Sequence, residues 1–565
     1  IISLLYDINK NLKAAGKTDK ITVGLCHGDI PHSERDPKWQ EYWDGGVPLK
    51  CPACKTGFLS AVEHTKVKCL GCQEELDFVI LFREPNFGIL PDILVTNPDL
   101  IQWEMTERPD HHGIFGREIK CCKKCYNGWA KLLKQKCSPY GCQGTVFEKK
   151  QPFPPRFVVF DEVHQFKGTF GTNSLYLHER LRTMLKKYAK ATHNIDWPVC
   201  SIGSSATIKN AAEFSETFFG LDQNDIKVVP KDVDEGKSYY DDAEYVKRTH
   251  LFVMPYRYRP AATTAKVVGY LQARRVEGTK PEPLSDTLTD TAEPLQILGF
   301  VNALQDLGLI VNSTRRERRY PVPVSFGGHS THYNRKQRAD VEKKFNRKQL
   351  NVIIATPTLE VGVDFETVNV ILIFGFPYSF NDYVQRIGRG GRGENTLVVT
   401  ICQNWKPVDH YYLVDAKKKI AKQGESIEPI PITRDNKEII KRHLVSSFLD
   451  SISSLPDSPN LWEDIKDKLK EAVVARGADM YDTNKEFSAI NSLGLSEREK
   501  NYYQPEFKKI VESITDKLVG QIQPITKSQY LHKGDRSLDG RYRYSNLRDT
   551  EEKVSVEVNW QVFES

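Results

Sequence analysis

The sequence predicts an α/β protein with two parallel-sheet domains, followed by a helical C-terminal region. Short apolar strand patterns, such as Phe157–Phe160 and Val352–Ala355, alternate with amphipathic helical patterns. This alternation is typical of parallel sheets that carry helices on both faces. A polar, acidic stretch at residues 222–248 separates the strand patterns into two sets, as a linker between domains does. At roughly 150 residues per domain, a chain of 565 residues has room for three or four domains.

The expected boundaries follow the points where these patterns change. Two Cys-rich stretches interrupt the first set of strands, and amphipathic helical spacing replaces the strand patterns after about residue 430. We therefore expect a first α/β domain at 1–225 with insertions at about 50–75 and 120–145, a linker at 226–250, a second α/β domain at 251–425, and a mostly helical accessory region at 426–565.

The composition is that of an ordinary globular protein. Charged residues make up 27% of the chain and the hydrophobic set 39%, which excludes wholesale disorder. The net charge is 80 − 74 = +6, which permits a nucleic-acid partner without requiring one. No apolar run reaches the ~18 residues that a bilayer requires, and no secretory signal opens the sequence. We expect no membrane partner and a cytoplasmic location, or a nuclear one in a eukaryote.

Two acids follow a strand in the first domain. The apolar run Phe157–Phe160 delivers Asp161 and Glu162 to its carboxyl end, where open α/β sheets bind their ligands. One carboxylate there can hold Mg²⁺ and the next can polarise a water for attack on phosphorus. An acid pair that caps a helix is the alternative, but His164 and the preceding strand favour the catalytic interpretation.

A glycine- and arginine-rich motif lies in the second domain. Residues 385–393 hold three arginines and four glycines, and Gln385 precedes them. Glycine allows a close approach of the backbone, and the guanidinium forks of Arg389 and Arg392 suit phosphate oxygens. This density argues against a plain basic surface loop.

Three weaker motifs each follow a strand pattern. They are Thr96-Asn97-Pro98-Asp99, Ser205-Ala206-Thr207, and the run from Thr356 through Gly362 to Asp364. Ser205-Ala206-Thr207 alone is a common turn, and the ordered set carries more weight than any member.

Together the motifs resemble those of superfamily 2 helicases. Asp161-Glu162-Val163-His164 looks like motif II, Ser205-Ala206-Thr207 like motif III and Phe300-Val301-Asn302 like the motif IV strand. Residues 356–364 and 385–392 resemble motifs V and VI. All appear in family order, over roughly residues 1–415. The stretches DEVHQFKGTFG and LEVGVD are similar to the RecQ-like group with the MrfA-type repair helicases, and to the DISARM antiphage defence helicase.

The resemblance implies two RecA-like domains that hydrolyse ATP with Mg²⁺. It would make Asp161 the Mg²⁺ ligand and Glu162 the residue that activates water. His164 would lie near motif VI or motif III. The implied partners of the γ-phosphate are Gln385, Arg389 and Arg392.

The resemblance also implies a nucleic-acid path and a coupling set. Thr96, Asn97 and Thr356 would contact the nucleic-acid backbone, and Gly28-Asp29 resembles a DNA-contact loop. Ser205 and Thr207 would couple hydrolysis to domain movement. Gly362 and Asp364 belong to motif V, and Asp364 would line the cleft between the domains.

One expected motif is absent from the sequence. A helicase needs a glycine-rich phosphate loop between a strand and a helix, with Lys and Ser/Thr at the start of that helix. The tripeptide Gly16-Lys17-Thr18 follows a helical pattern and precedes a strand, so we interpret Gly16 as a helix C-cap. We expect the phosphate loop upstream of Ile1; a chain that lacks it would be a binding scaffold.

Cysteine spacing predicts zinc. Cys51-x₂-Cys54 and Cys69-x₂-Cys72 lie 14 residues apart, which is the spacing of a structural Cys₄ site. A second cluster offers Cys122, Cys125, Cys137 and Cys142, with Cys121 competing for the place of Cys122. We expect both insertions to be zinc ribbons that clamp nucleic acid or dock a protein partner.

These expectations combine into an ATP-dependent DNA helicase or translocase. Movement would be 3′-to-5′ by the resemblance, on single-stranded DNA or a single-stranded tail, in DNA repair or antiphage defence. An RNA helicase of the same fold is the first alternative, and a non-hydrolysing nucleic-acid-binding scaffold is the second.

Overall fold

The structure is a computed structural model that describes most of the chain in separate ranges. The described residues are 1–27, 30–31, 47–55, 57–63, 66–107, 109–124, 126, 128–129, 142–205, 208–229, 247–256, 259–276, 295–316, 325–330, 333, 335–356, 365, 367–390, 395–421, 427–453, 543–549 and 554–559.

The chain forms two compact units. The first unit comprises residues 1–206, 211–227 and 430–565, and the second comprises 207–210 and 228–429. The chain thus returns to the first unit after it has completed the second. The predicted accessory region at 426–565 belongs almost entirely to the first unit in this division.

The first unit begins with an alternation of short strands and helices. Its elements up to residue 227 are α1 (Ile2–Ala14), β1 (Val23–Cys26), β2 (Val47–Lys50), β3 (Phe58–Glu63), β4 (Lys66–Cys69), β5 (Glu75–Leu76), β6 (Val79–Ile80), α2 (Arg83–Ile89), β7 (Ile93–Thr96), α3 (Pro98–Glu107), β8 (Ile119–Cys122), β9 (Gly128–Trp129), β10 (Phe147–Lys150), β11 (Phe157–Phe160), α4 (Gly168–His193), β12 (Cys200–Gly203) and α5 (Ala211–Phe219).

The parallel strands of the first unit form two separate pieces among the described residues. One has the order β6-β1-β7, and the other pairs β11 with β12 in the register Phe157↔Cys200. Each Cys-rich insertion forms an antiparallel sheet of its own, with orders β2-β3-β4-β5 and β10-β8-β9. The insertions are therefore β-structures added to a parallel framework.

Gly16-Lys17-Thr18 lies at the C-terminal end of α1. Gly16 has a φ of 72°, its N–H donates to the carbonyl of Lys13, and the Lys17 N–H donates to the carbonyl of Leu12. This pair of bonds is a Schellman motif, which ends a helix with a left-handed glycine. The interpretation of Gly16 as a C-cap agrees with this geometry.

The second unit is one six-stranded parallel sheet with helices. Its elements are β13 (Arg248–Val253), α6 (Pro260–Val276), β14 (Ile297–Val301), α7 (Leu304–Arg316), β15 (Phe326–His329), α8 (Arg335–Asn346), β16 (Val352–Ala355), β17 (Val370–Phe374), α9 (Phe380–Ile387), β18 (Thr396–Ile401), α10 (Pro407–Val414) and α11 (Ala416–Ala421). The strand order is β13-β18-β17-β14-β16-β15.

The core of the second unit lies on both faces of this sheet. Ile297 and Val301 belong to one buried cluster, whereas Leu298 and Phe300 of the same strand belong to the other. Strands buried on both faces read as continuous apolar runs, which is why these strands could be recognised in the sequence. The predicted α/β class with two RecA-like parallel-sheet domains is confirmed.

The described residues of the C-terminal part form one helix and two paired strands. These are α12 (Lys437–Ser453), β19 (Arg543–Asp549) and β20 (Val554–Asn559), and the two strands pair antiparallel. The alternation of Val554, Val556 and Val558 predicts the last strand. Residues 454–542, where further helices are expected, lie outside the described residues. Among the described helices, none is long and apolar enough to cross a bilayer.

Candidate functional site

The carboxyl end of β11 presents the acid pair. Asp161 is exposed there, and its Oδ1 accepts hydrogen bonds from the Glu162 N–H (3.0 Å) and from the Ser204 hydroxyl. Glu162 has left-handed backbone angles, φ 49° and ψ 48°, which a side-chain-bearing residue rarely adopts. Such local strain is typical of functional sites, because the surrounding structure must enforce it.

His164 joins this acid pair to the loop after β12. Its Nδ1 lies 2.8 Å from the Ser205 Oγ and 3.3 Å from the Glu162 Oε2, and its ring is buried. Gln165 Nε2 lies 2.9 Å from the other ring nitrogen. Ser205 belongs to motif III, which is one of the two neighbourhoods that the resemblance implies for His164. Motif II and motif III are thus hydrogen-bonded to each other within the first unit.

The neighbouring strand is held in register by two further contacts. The Val163 N–H donates to the carbonyl of Ser204 (2.8 Å), and His178 of α4 lies 2.7 Å from the Ser201 Oγ. Burial lowers the pKa of His178 to about 3, so this imidazole is neutral near pH 7. A neutral imidazole can bond to the serine hydroxyl without placing a charge behind the site.

Helix α9 positions motif VI in the second unit. Phe380, Tyr383, Arg386 and Ile387 are buried, at helical spacing along one face. Arg386 donates from Nη1 to the Asn302 Oδ1 (2.7 Å), and its guanidinium lies 5.8 Å from the centre of the Phe300 ring. Arg386 was not among the predicted site residues, although its helical phase with Phe380 and Tyr383 places it inside.

Gln385 and Arg389 lie outside that buried face. Both are half-buried; Gln385 lies in the last turn of α9, and Arg389 lies in the turn that follows the helix. The turn packs tightly: a Cβ on Gly390 would lie 2.7 Å from the Thr396 Cγ2 and 2.9 Å from the Ile371 Cγ1. Glycine is therefore needed at position 390 for the chain to approach the sheet.

The residues predicted to bind nucleic acid lie in different local surroundings. Asn97 caps α3, because its Oδ1 accepts from the Leu100 N–H at 2.8 Å. The Thr96 Oγ1 is buried and has no hydrogen-bond partner within the described ranges. Thr356 follows β16 and donates its N–H to the carbonyl of His329 (3.1 Å). Six of the predicted catalytic, coupling and nucleic-acid-binding residues lie outside the described residues: Gly28, Asp29, Thr207, Gly362, Asp364 and Arg392.

The first cysteine cluster has the geometry of a zinc site. The Sγ atoms of Cys51, Cys54, Cys69 and Cys72 all lie within 4.8 Å of one another. Cys54 and Cys69 are 3.6 Å apart, and Cys51 and Cys72 are 3.7 Å apart. A tetrahedron with Zn–S bonds of about 2.3 Å has edges of about 3.8 Å. The four thiolates would therefore hold Zn²⁺ with no open position, as structural sites do.

Backbone geometry in the two CxxC loops supports this ligand set. Lys55 and Gln73, each directly after the second cysteine of its pair, have φ values of 59° and 66°. Backbone N–H groups in both loops also donate to sulfur: Gly57 donates to the Cys54 Sγ (3.2 Å) and Gly71 to the Cys69 Sγ (3.3 Å). N–H bonds of this kind stabilise thiolates.

The second cluster shows the same local signature in its described part. Cys122 and Cys142 have their Sγ atoms 3.8 Å apart. Tyr126 and Gln143 have φ values of 57° and 56°, so each also follows a cysteine in the left-handed region. Cys121 points elsewhere: a Cβ on Gly88 of α2 would lie 2.8 Å from its Sγ. This favours Cys122 over Cys121 as a ligand, while Cys125 and Cys137 lie outside the described residues.

We expect zinc removal to destabilise the first unit. Cys51 and Cys69 share a buried cluster with Leu5 of α1 and Val23 of β1, so the metal site is part of that core. Cys54→Ser should lower bound zinc by one ion per chain and lower the melting temperature by several degrees or more, because metal affinity contributes to folding free energy. Zinc content by elemental analysis and thermal melts measure both. The exposed Cys200 supplies the control Cys200→Ser, and unchanged zinc in Cys54→Ser would contradict the assignment.

Comparisons with known proteins agree with this architecture. The family model described as "Helicase conserved C-terminal domain" matches residues 279–394, which contain motif VI up to Arg392. The DISARM protein DrmA of Bacillus paralicheniformis is 23% identical over 409 residues, 64% of this chain and 35% of that protein. The ATP-dependent helicase Lhr-Core of Methanocaldococcus jannaschii is 24% identical over 356 residues, 62% of this chain and 35% of that protein.

A solved structure has a weaker likeness. Lhr of Mycobacterium smegmatis, bound to ssDNA and AMP-PNP, aligns with 84% of this chain and 47% of its own, with 15% identity and a TM-score of 0.46.

The two parallel-sheet units have the fold of RecA-like domains. By the family model and these two relatives, the chain is similar to the superfamily 2 helicases. It spans little more than a third of the length of the two relatives described above.

Proposed function

We propose that this chain forms the motor core of an ATP-dependent DNA helicase or translocase. The observation that carries the proposal is the cluster at the end of β11, in which His164 hydrogen-bonds to Ser205 and lies within ion-pair distance of Glu162. A half-exposed acid beside a buried histidine, next to a loop that follows the neighbouring strand, suits the activation of water in phosphoryl transfer.

The roles of the site residues follow from their surroundings. Asp161 is exposed at the strand end and would hold Mg²⁺, whose charge offsets that of the phosphates. Glu162 would orient the attacking water and accept its proton. Gln385 and Arg389, and Arg392 by the resemblance, would contact the γ-phosphate. Ser205 would couple ATP hydrolysis to movement through its hydrogen bond with His164.

DNA is the proposed substrate because the motifs resemble those of the RecQ-like, MrfA-type group. The direction would be 3′-to-5′ by the same resemblance. A role in repair or in antiphage defence fits the similarity to that group and to DrmA. The proposed contacts to the nucleic-acid backbone are Thr96, Asn97, Thr356 and the Gly28-Asp29 loop.

The test is ATP hydrolysis by the full-length protein with matched single strands of DNA and RNA. We expect DNA to stimulate hydrolysis, RNA of the same sequence to stimulate it much less, and the apparent DNA affinity to fall steeply with salt because phosphate contacts release counterions. Equal or greater stimulation by RNA would assign the protein to the RNA helicases instead. DNA binding without any hydrolysis would support the scaffold alternative.

A further inference from the structure

A short segment at the end of the second unit makes ordered contacts at both of its ends. We call residues 427–434 the strap; its sequence is Ile-Glu-Pro-Ile-Pro-Ile-Thr-Arg. Ile427 to Pro429 belong to the second unit, and the chain from Ile430 onward belongs to the first. The strap is therefore the chain segment in which the chain leaves the second unit for the last time and returns to the first.

The first anchor of the strap is Glu428, which caps the helix that carries motif VI. Its carboxylate oxygens accept from the Phe380 N–H (3.0 and 2.9 Å) and from the Asn381 N–H (3.3 Å). Tyr412 adds a bond from its hydroxyl to the Glu428 Oε1 (2.7 Å), and the Asn381 Nδ2 donates to the Glu428 carbonyl (3.0 Å). Glu428 thus accepts the first N–H groups of α9, which have no partners within the helix.

This anchor fixes the orientation of α9 as well as its end. A carboxylate at a helix N-terminus is favourable both as a hydrogen-bond acceptor and as a charge against the helix dipole. The helix is only eight residues long, from Phe380 to Ile387. A displacement at its first turn is therefore carried directly to Gln385 and to Arg389 beyond its last turn.

The second anchor is a row of bonds from helix α4 to the strap backbone. The Gly168 N–H donates to the carbonyl of Pro431 (2.6 Å), the Thr172 Oγ1 to that of Thr433 (2.8 Å), and the Tyr176 hydroxyl to that of Arg434 (2.5 Å). These three helix positions are four residues apart, so they line one face of α4.

Two ion pairs continue along α4. Arg434 Nη2 lies 3.0 Å from the Glu179 Oε1, and Arg180 makes a buried pair with Asp450 of α12 at 2.7 Å. These ion pairs hold the end of the strap and helix α12 against α4, so they stabilise the position of the second anchor on α4. Helix α4 itself begins at Gly168, four residues after His164 of motif II.

We propose that the strap is a mechanical coupling element between motif II and motif VI, with Glu428 and the α4 row as its two attachment points. The inference rests on the proposed function and deepens it. Only Pro429 and Ile430 separate Glu428 from Pro431 in the chain, and proline limits the backbone conformations available there. A movement of α4 that accompanies hydrolysis is thereby transmitted to the first turn of α9, and Glu428 is a positioning residue for Gln385 and Arg389.

The experiment is a double-mutant cycle on DNA-stimulated ATP hydrolysis by the full-length protein. Glu428→Gln removes the charged cap at one attachment point, and Tyr176→Phe removes a single hydroxyl bond at the other. Tyr411→Phe is the matched control, because the Tyr411 side chain is exposed next to Tyr412 in the same helix. If Glu428→Gln does not fold, Tyr412→Phe replaces it, since it deletes only the bond to the Glu428 Oε1.

We expect Glu428→Gln to lower the DNA-stimulated kcat about tenfold and Tyr176→Phe about threefold, with little change in the KM for ATP, as for losses of one or two hydrogen bonds. The double variant should lose about tenfold, because a strap released at one end no longer transmits force. If Glu428 and Tyr176 had a purely structural role, their substitution would lower the melting temperature and leave the DNA-stimulated kcat of the folded variants at the wild-type value. The Tyr411→Phe control should keep the wild-type rate.

Two results would overturn the proposal. The losses of the single variants could multiply to about thirtyfold in the double variant, which is the behaviour of independent sites. Alternatively, Tyr176→Phe could hydrolyse ATP as fast as Tyr411→Phe. If the wild-type protein itself showed no DNA-stimulated hydrolysis, the proposed function would fail first and the coupling role with it, so the two failures are distinguishable.

Discussion

We expect Glu162→Gln to lower the DNA-stimulated kcat of ATP hydrolysis by about 10²- to 10⁴-fold, the usual contribution of a positioned general base. The amide has the shape of the carboxylate but cannot accept a proton from water. The neighbouring contact to the His164 Nδ1, at 3.3 Å, can be made by the amide oxygen, so the local fold should persist. The side chain is 34% exposed, which leaves it accessible to water.

The control for this substitution is Glu148→Gln. Glu148 is an exposed acid on β10 of the same unit, outside every motif of the site. The Glu148→Gln variant should hydrolyse ATP at the wild-type rate. The two variants should bind single-stranded DNA equally well, and a Glu162→Gln protein that still turned over ATP would remove Glu162 from the mechanism.

We expect Arg389→Ala to cost about 10³-fold or more in kcat, the range found for arginines that stabilise the charge of a transferring phosphoryl group. Arg389→Lys should recover only a small part, because an ammonium cannot reproduce the planar fork of a guanidinium. The KM for ATP should change far less than kcat, since the interaction strengthens in the transition state.

Two other arginines of the second unit separate chemistry from packing. Arg347 is exposed at the end of α8, and Arg347→Ala should leave turnover intact. Arg386→Ala should instead lower the melting temperature, because it removes the buried bond to Asn302 and leaves that amide without this partner. A loss confined to the KM in Arg389→Ala would place Arg389 in binding of ATP and not in the chemical step.

The sequence predicted those parts of the fold that local patterns encode. Strands buried on both faces appear as apolar runs, and β11 was placed at its observed bounds, Phe157–Phe160. The Cys₄ ligand set was recoverable for the same reason, because each CxxC loop is a local structure. The choice between Cys121 and Cys122 needed the alternation of side chains along β8, which puts successive residues on opposite faces.

Long-range contacts could not be predicted. Nothing near Glu428 in the sequence marks it as the cap of a helix that begins 48 residues earlier. The bond between the Thr172 Oγ1 and the carbonyl of Thr433 joins positions 261 residues apart. Such pairs depend on how the chain returns to the first unit after the second, and periodicity carries no information about that path.

The motif VI arginines show an intermediate case. Arg386 and Arg389 are three residues apart in one short motif, and residue type alone does not distinguish their roles. Helical phase separates them, since Arg386 shares the buried face of Phe380 and Tyr383. The 3.6-residue period of the helix is therefore sufficient to assign Arg386 to packing from the sequence.

The proposed roles of Glu162 and its partners require that the protein hydrolyses ATP in response to DNA. We would measure the steady-state ATP hydrolysis rate of the full-length protein with and without single-stranded DNA, with Glu162→Gln measured beside it. We expect a rate that rises with DNA in the wild-type protein and is nearly abolished in the variant, while both bind DNA. Equal rates in the two proteins, or no hydrolysis by either despite DNA binding, would contradict it.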